Sequence, residues 1–410
     1  MTPGPIRLTE YQRSGPVALS PAQRDMLLGS FSNVVSVAPS AGLEGNYDLT
    51  PGSVIGAIQL SDLAIEIRPK LPISRVLFLI SYALDPRQWL QTDFFFSSEP
   101  SLVEAIIYGF VAQVRRAFRV GLLQGYLLRE DSLAVLRGRL RFDDQLRRRF
   151  GRFPPIEVRY DEYTEDIEEN RLIKAAIVRL GRLPIRSPAS RQALRAFDGA
   201  LQNVSDVAYD PRCLPEIHFT RLNQHYQSAV ELAKLILRST SFELAHGRVQ
   251  AACFLVDMNE VFEQFVVVAL RESLRLTERT FPRGATGRSV FLDTAARVRL
   301  RPDISWWQGN LCRFVGDVKY KKVKVDGILH PDLYQLLAYT TATGLQEGLL
   351  IYAAGEAKAT THEVIRVGKR LHVATLDLAG EPPAILTLIG RVASMIRRMA
   401  RTHVREESRL

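Results

Sequence analysis

Two aspartates and a lysine in the C-terminal third carry the clearest chemical signal in this chain. The segment RPDISWWQGNLCRFVGDVKYKK sets Asp303 beside one strand-like run, and Asp317 and Lys319 two residues apart in the next. Residues two apart share a face of a strand, so Asp317 and Lys319 project together. If the runs 297–305 and 311–319 pair as a hairpin across WWQGN, Asp303 comes to lie beside Asp317. Two carboxylates that close repel each other unless a cation lies between them. Lys319 relieves part of the repulsion, and a divalent metal relieves more. Oxygen ligands select a hard cation, Mg2+ or Mn2+ in its place. Such an ion beside a lysine activates water and stabilises charge building on phosphate, which is the chemistry of phosphodiester hydrolysis.

The tripeptide D-x-K is common, so the neighbouring elements decide its weight. The amphipathic stretch DMNEVFEQFVVVALRESLRL precedes the two runs and carries Glu263, with Glu260 one turn earlier, as a further acid. After them, DLYQLLAY puts Gln335 and Tyr339 four apart on one helical face. The pattern then gives a helix over 332–343, a strand over 348–353, further strands near 362–377 and a basic helix from about 384. Helix, strands, helix, strand predicts an α/β arrangement around a central mixed sheet. Asp303 shares parity with Arg297, Arg299 and Arg301, which makes that face of the first run cationic. Cys312 falls opposite in parity to Asp317, as a small core residue. Trp306 and Trp307 fall at the hairpin turn, where they would pack on a neighbouring domain or stack on bases.

The rest of the chain divides by pattern. The first 70 residues are β-rich: PGSVIGAIQL and SDLAIEIRPKLP read as two strands about a turn at Ser61 and Asp62. Helical signals begin near Ser74, and SLVEAIIYGFVAQVRRAFRVGLL is a packed helix. RGRLRFDDQLRRRFGR is the most basic segment, with DNA backbone, an acidic protein face and plain solvent as its alternatives. YDEYTEDIEENRLIKAAIVRL reads as a loop entering a helix near Glu165, because acids suit a helix start. Helices at 189–203 and 221–238 follow. The expected class is α+β and multidomain: a β-rich domain over 1–73, a mainly helical one over 74–245, and an α/β one over 246–410.

A net charge of +10 suits a polyanionic partner. Cys213, Cys253 and Cys312 are odd in number and lack metal-site spacing, which argues against a disulfide framework and a zinc site. His330 reads as a helix-entry residue. In KYKKVKVDG, Lys319 alone has a placed role, leaving Lys321, Lys322 and Lys324 for phosphate or solvent. The basic C-terminal helix carries Arg397, Arg398, Arg401, Arg405 and Arg409. MTPGPIRLTEYQ has no signal-peptide pattern and no apolar run spans a bilayer, so a cytoplasmic protein with no membrane association is expected. No Gly-rich phosphate loop occurs, so this chain is not expected to hydrolyse nucleotides itself.

Taken in order, Glu263, Pro302-Asp303, Asp317-Val318-Lys319 and Gln335-xxx-Tyr339 resemble the PD-(D/E)xK nuclease superfamily, in its RecB-like branch. With YDEYTEDIEENRLIKAA, RGRLRFDDQL and DLYQLLAY included, most of the chain is similar to the McrC family, the nuclease subunit of McrBC-type modification-dependent restriction systems. The resemblance implies a restriction-endonuclease-like C-terminal domain that cleaves double-stranded DNA. It implies Asp303, Asp317 and Glu263 as the metal acids, with Glu263 preferred to Glu260. Lys319 would be the catalytic lysine, and Gln335 and Tyr339 would position it, the DNA or both. It further implies an McrB-like AAA+ GTPase hexamer as partner, with residues 1–73 as the segment entering its pore. The alternatives are a non-catalytic regulator of an AAA+ partner and a RecB-like repair exonuclease.

Overall fold

The strand that carries Asp317 and Lys319 lies inside a five-stranded sheet whose neighbours come from both sides of it in sequence. A computed structural model describes residues 5–60, 63–84, 86, 101–183, 185, 187–245, 248–284, 289–320, 330–353 and 360–407. The chain divides into two compact units, one of residues 1–102 with 255–410 and one of residues 103–254. The sequence-based divisions at 73/74 and 245/246 differ from these: the N-terminal and C-terminal stretches fold together in the first unit.

That unit starts with β1 (Ile6–Thr9), β2 (Val17–Ala18), α1 (Pro21–Ser30), β3 (Val35–Pro39), β4 (Asn46–Pro51), β5 (Val54–Leu60), β6 (Leu63–Arg68) and α2 (Ile73–Leu84). β5 and β6 pair antiparallel as the sequence predicts, and β1 adds parallel to β6. The expected turn at Ser61 and Asp62 lies outside the described residues. Strands β2, β4 and β3 make a separate small sheet.

In the second unit, α3 (Leu102–Ala117) leads to β7 (Gly125–Leu133), β8 (Arg139–Leu140), α4 (Phe142–Arg149), β9 (Ile156–Thr164), α5 (Glu168–Gly181), α6 (Pro188–Ala200), α7 (Gln227–Ser239) and the hairpin strands β10 (Thr240–Ala245) and β11 (Arg248–Asp257). The predicted helices are present, joined by a three-stranded sheet of order β7-β9-β8. The expected loop before Glu165 is instead the strand β9. Its acids concealed a period of two: Val158 is buried while Arg159, Asp161 and Tyr163 are exposed. Gly138 permits β8 to pair, because a Cβ there would meet the Arg159 carbonyl at 2.4 Å.

The first unit resumes with α8 (Met258–Leu274), β12 (Val290–Phe291), β13 (Arg299–Leu300), β14 (Ile304–Gln308), β15 (Leu311–Lys319), α9 (His330–Ala342), β16 (Glu347–Ala353), β17 (Thr360–Glu363), β18 (Arg370–Leu376) and α10 (Pro382–Glu407). The sheet order is β14-β15-β16-β18-β17. β15, β16 and β18 run parallel, and the edge strands β14 and β17 run antiparallel to their neighbours. Leu336 and Tyr339 of α9 pack on Val315, Leu350, Tyr352 and Val373 from one face. On the other face Phe262 of α8 meets the ring of Tyr320 at 5.8 Å. Gly316 keeps β15 close to β16, since a Cβ there would meet the Leu349 carbonyl at 2.5 Å.

Three expectations for this region are corrected. The first strand begins at Ile304 rather than 297, because Asp293 folds residues 292–298 into a loop. Its Oδ1 accepts the amides of Arg297 at 2.9 Å and Val298 at 2.8 Å, so no continuous arginine face forms. Trp306 and Trp307 belong to β14 and the turn falls at Gly309-Asn310, with Trp307 packed against the α9 core. Register passes from Trp306–Phe314 to Trp307–Cys312, so Arg313 is a bulge residue. The bulge resets parity, and Cys312 joins Val315 in one core cluster.

Candidate active site

Asp303 precedes β14 by one residue, and Ile304 pairs with Gly316, which sets Asp303 across from Asp317. Two hydrogen bonds lock the pair. The Asp303 amide donates to Asp317 Oδ1 at 3.3 Å, and the Val318 amide donates to Asp303 Oδ2 at 2.9 Å. Each carboxylate thus holds backbone of the other's segment. Asp317 is fully buried, whereas the Asp303 side chain is 21% exposed and opens the site to solvent.

Lys319 stands between them, in ion contact with Asp317 Oδ2 and 3.7 Å from Asp303 Oδ2. Burial, the Asp303 charge and the hydrogen bond with Asp303 push the Asp317 carboxyl up to about 8, against the pull of Lys319. Burial works against the Lys319 charge, but the Asp317 and Asp303 carboxylates outweigh it and hold the ammonium above its ordinary value. Asp317 Oδ2 is enclosed, and among the described residues the Lys319 ammonium is the charge that faces it. An acid pair with close carboxylate oxygens, those of Asp317 buried, fits a hard divalent cation. Among the described residues no three His, Cys, Asp or Glu side chains gather as a ligand set. The donors brought together are therefore the two aspartates.

Glu263 sits on α8 near this pair. Burial and the charge of Asp303 raise its pKa, while Arg283 lowers it. Arg283 Nε donates to Glu263 Oε1 at 3.3 Å, and its Nη2 reaches Glu260 at 3.4 Å. The Arg283 backbone bridges Ile304, and the Gly284 amide donates to the Asp303 carbonyl at 3.0 Å, which brings that arginine beside the acids. Gln335 Nε2 donates to Tyr339 Oη at 2.6 Å, and Tyr339 Oη donates to the Arg301 carbonyl at 2.9 Å. The Gln-xxx-Tyr pair thus holds the backbone just ahead of Asp303. Burial first, then Asp317 and Asp303, push the Tyr339 phenol well up.

Sequence reasoning missed Asp332, Tyr352 and Arg283. Asp332 is buried in the first turn of α9 and accepts from Tyr352 Oη at 2.7 Å. Tyr352 is the register partner of Lys319, and the Asp332 charge supports the ammonium. Its signal was its place three residues before Gln335, on the same helical face.

Other candidates separate. Arg141, Arg148 and Arg149 of the basic segment pair with Glu130, Asp144 and Glu157, so part of that charge is spent within the unit. Arg397 Nη2 donates to the Ser273 carbonyl at 2.6 Å, anchoring α10 on α8. His330 begins α9, as expected. Lys321, Lys322 and Lys324 lie outside the described residues, as do the side chains of Arg405 and Arg409. Among the described residues no helix is long and apolar enough to cross a membrane.

The fold and site together describe a mixed α/β chain with an acid–lysine site on paired strands. Its residues 49–353 match the family described as McrBC 5-methylcytosine restriction system component, and the chain belongs to that family. No curated protein matches it. Among solved structures it is similar to a chain of the refined half-complex from the tetradecameric assembly of Thermococcus gammatolerans McrB AAA+ hexamers with bound McrC. That likeness covers 96% of this chain and 100% of the other, with a TM-score of 0.59 and 18% identity. A second similar chain, from the cryo-EM structure of the Thermococcus gammatolerans McrBC complex, has a TM-score of 0.44 and 21% identity over 66% of this chain and 88% of that one. The first likeness establishes a shared fold.

Proposed function

We propose that this chain is the nuclease subunit of an McrBC-type restriction complex, hydrolysing phosphodiester bonds of double-stranded DNA with Mg2+. The observation that carries this reading is the Lys319 ammonium facing the carboxylates of Asp303 and Asp317 on paired strands. Family membership supports the restriction setting. The T. gammatolerans assembly, described as McrB AAA+ hexamers with bound McrC, supports an McrB-like AAA+ GTPase as partner.

Asp303 and Asp317 would hold the metal, which supplies an activated water and neutralises charge on the phosphate when bound. Burial makes the close acid pair costly without a counter-charge, which is why the site favours a cation. Lys319, facing both carboxylates, would orient or deprotonate the water or neutralise charge on the scissile phosphate. The Asp332 charge, held by Tyr352, supports that ammonium electrostatically. Gln335 and Tyr339 fix the Arg301 backbone and so the approach of Asp303. Glu263 is a further acid within electrostatic reach, restrained by Arg283.

The test uses the full chain with its AAA+ partner, GTP and Mg2+ on closed circular double-stranded DNA carrying modified cytosine. Cleavage that disappears in Asp317→Ala, with stimulation of the partner's nucleotide hydrolysis retained, is the expected result. Cleavage unchanged by that substitution would make the chain a regulator instead, and a requirement for DNA ends would make it an exonuclease.

A further inference from the structure

The registered pairing of β15 with β16 ends at Lys319–Tyr352. The next residue, Tyr320, is gripped by the N-terminal stretch of the same unit. Tyr320 is 1% exposed, and its Oη donates to Glu10 Oε1 at 2.9 Å. Its carbonyl accepts Tyr11 Oη at 3.1 Å, and the Lys70 ammonium stands 4.1 Å from its ring centroid. Glu10 is equally buried; the same Oε1 accepts the Lys70 amide at 2.7 Å, while its Oε2 has no hydrogen-bond partner among the described residues.

Two costs mark this arrangement. A buried carboxylate with one oxygen unmatched is unfavourable in a protein interior. Tyr11 also adopts a left-handed backbone, φ 59°, which a tyrosine rarely occupies. Strain of this kind persists where surrounding structure holds it, and it clusters at functional sites. Here both costs fall on contacts to the residue that follows Lys319. A lysine has a long flexible stem, so its ammonium is placed only as well as its backbone is anchored.

We propose that Glu10 and Tyr11 are positioning residues for Lys319, acting through Tyr320 to anchor the end of the strand that carries it. The inference rests on the nuclease reading above. The clamp makes the N-terminal stretch part of the machinery that sets the lysine against Asp303 and Asp317.

The full chain with its AAA+ partner, Mg2+ and closed circular DNA gives the test. Tyr320→Phe removes one donor and keeps the ring; Glu10→Ala removes the acceptor; Glu10→Gln keeps an acceptor oxygen for both donors. Tyr320→Phe and Glu10→Ala are expected to lower kcat by about ten-fold with KM for DNA unchanged, the scale at which small misplacements act. Glu10→Gln is expected to recover most of that loss. In the free chain, amide hydrogen exchange over residues 317–320 is expected to quicken in Tyr320→Phe. Should Tyr320→Phe fail to fold, Tyr11→Phe, at a residue 41% exposed, makes the same measurement. Full kcat in the folded variant, or a change confined to KM, overturns the positioning role, and an inactive Lys319→Ala beside it leaves the nuclease reading standing. No cleavage by the unsubstituted complex overturns both.

Discussion

Asp303 and Asp317 hold each other's backbone: the amide of Asp303 rests on the Asp317 carboxylate, and the amide of Val318 rests on the Asp303 carboxylate. Two acids are thereby fixed at close range before any cation arrives, and among the described residues Lys319 stands in ion contact with both. Pre-set geometry of this sort spares the site a rearrangement on binding metal and substrate.

Replacing Asp317 by Asn keeps an acceptor for the Asp303 amide but removes a charge from the site. Cleavage is expected to fall by about a hundred-fold or more, the scale of losing a group that stabilises transition-state charge. Circular dichroism of the variant is expected to match that of the parent chain. Retained cleavage would remove Asp317 from the chemistry.

The pH dependence has a definite sign. Asp317 binds its proton more tightly in the folded chain, up to about 8, than at its ordinary value of 3.8. Its contribution is fully present below the ordinary value and is lost as pH rises through that window. The metal-free chain is therefore expected to lose Tm between about pH 5 and pH 8, with a shallower slope in Asp317→Asn. Mg2+ is expected to raise Tm more at the upper end. Calorimetry across that range checks both, and identical slopes in the two proteins would contradict the assignment.

Above about pH 8, where Asp317 has lost its proton, Lys319→Ala leaves two facing carboxylates without their counter-charge. A loss of cleavage is expected together with a destabilisation on the order of 2 kcal/mol, because breaking a buried pair strands the remaining charges. Denaturant unfolding of the metal-free chain measures it. A variant as stable as the parent would mean that Lys319 does not balance the acids.

Gly316→Ala tests the packing behind the site. The added Cβ would meet the Leu349 carbonyl at 2.5 Å and Ile304 Cδ1 at 3.1 Å. The first is backbone of the neighbouring strand and cannot step aside. A cost of about 1–3 kcal/mol is expected, as for overpacked cores. Unchanged stability by chemical denaturation would show that the strands tolerate a wider spacing.

The hairpin that opposes Asp303 and Asp317 was legible as two strand-like runs joined across WWQGN, although its turn falls at Gly309-Asn310 and not at the tryptophans. The helix bearing Gln335 and Tyr339 was legible from its period. What escaped depends on contacts distant in sequence or on one local irregularity. The Arg313 bulge inverted the parity of Cys312. The side chain of Asp293 turned an expected strand into a loop. Asp332 acquires its place beside Lys319 only through Tyr352 on another strand, and the Glu10–Tyr320 bond joins residues 310 positions apart. No periodicity encodes either meeting.

Anomalous diffraction from crystals of the full chain grown with Mn2+ addresses the acid pair most directly. The account predicts a manganese peak contacting a carboxylate oxygen of both Asp303 and Asp317, absent in Asp317→Asn crystals grown in parallel. Manganese bound elsewhere, or none between these aspartates at saturating concentration, would contradict it.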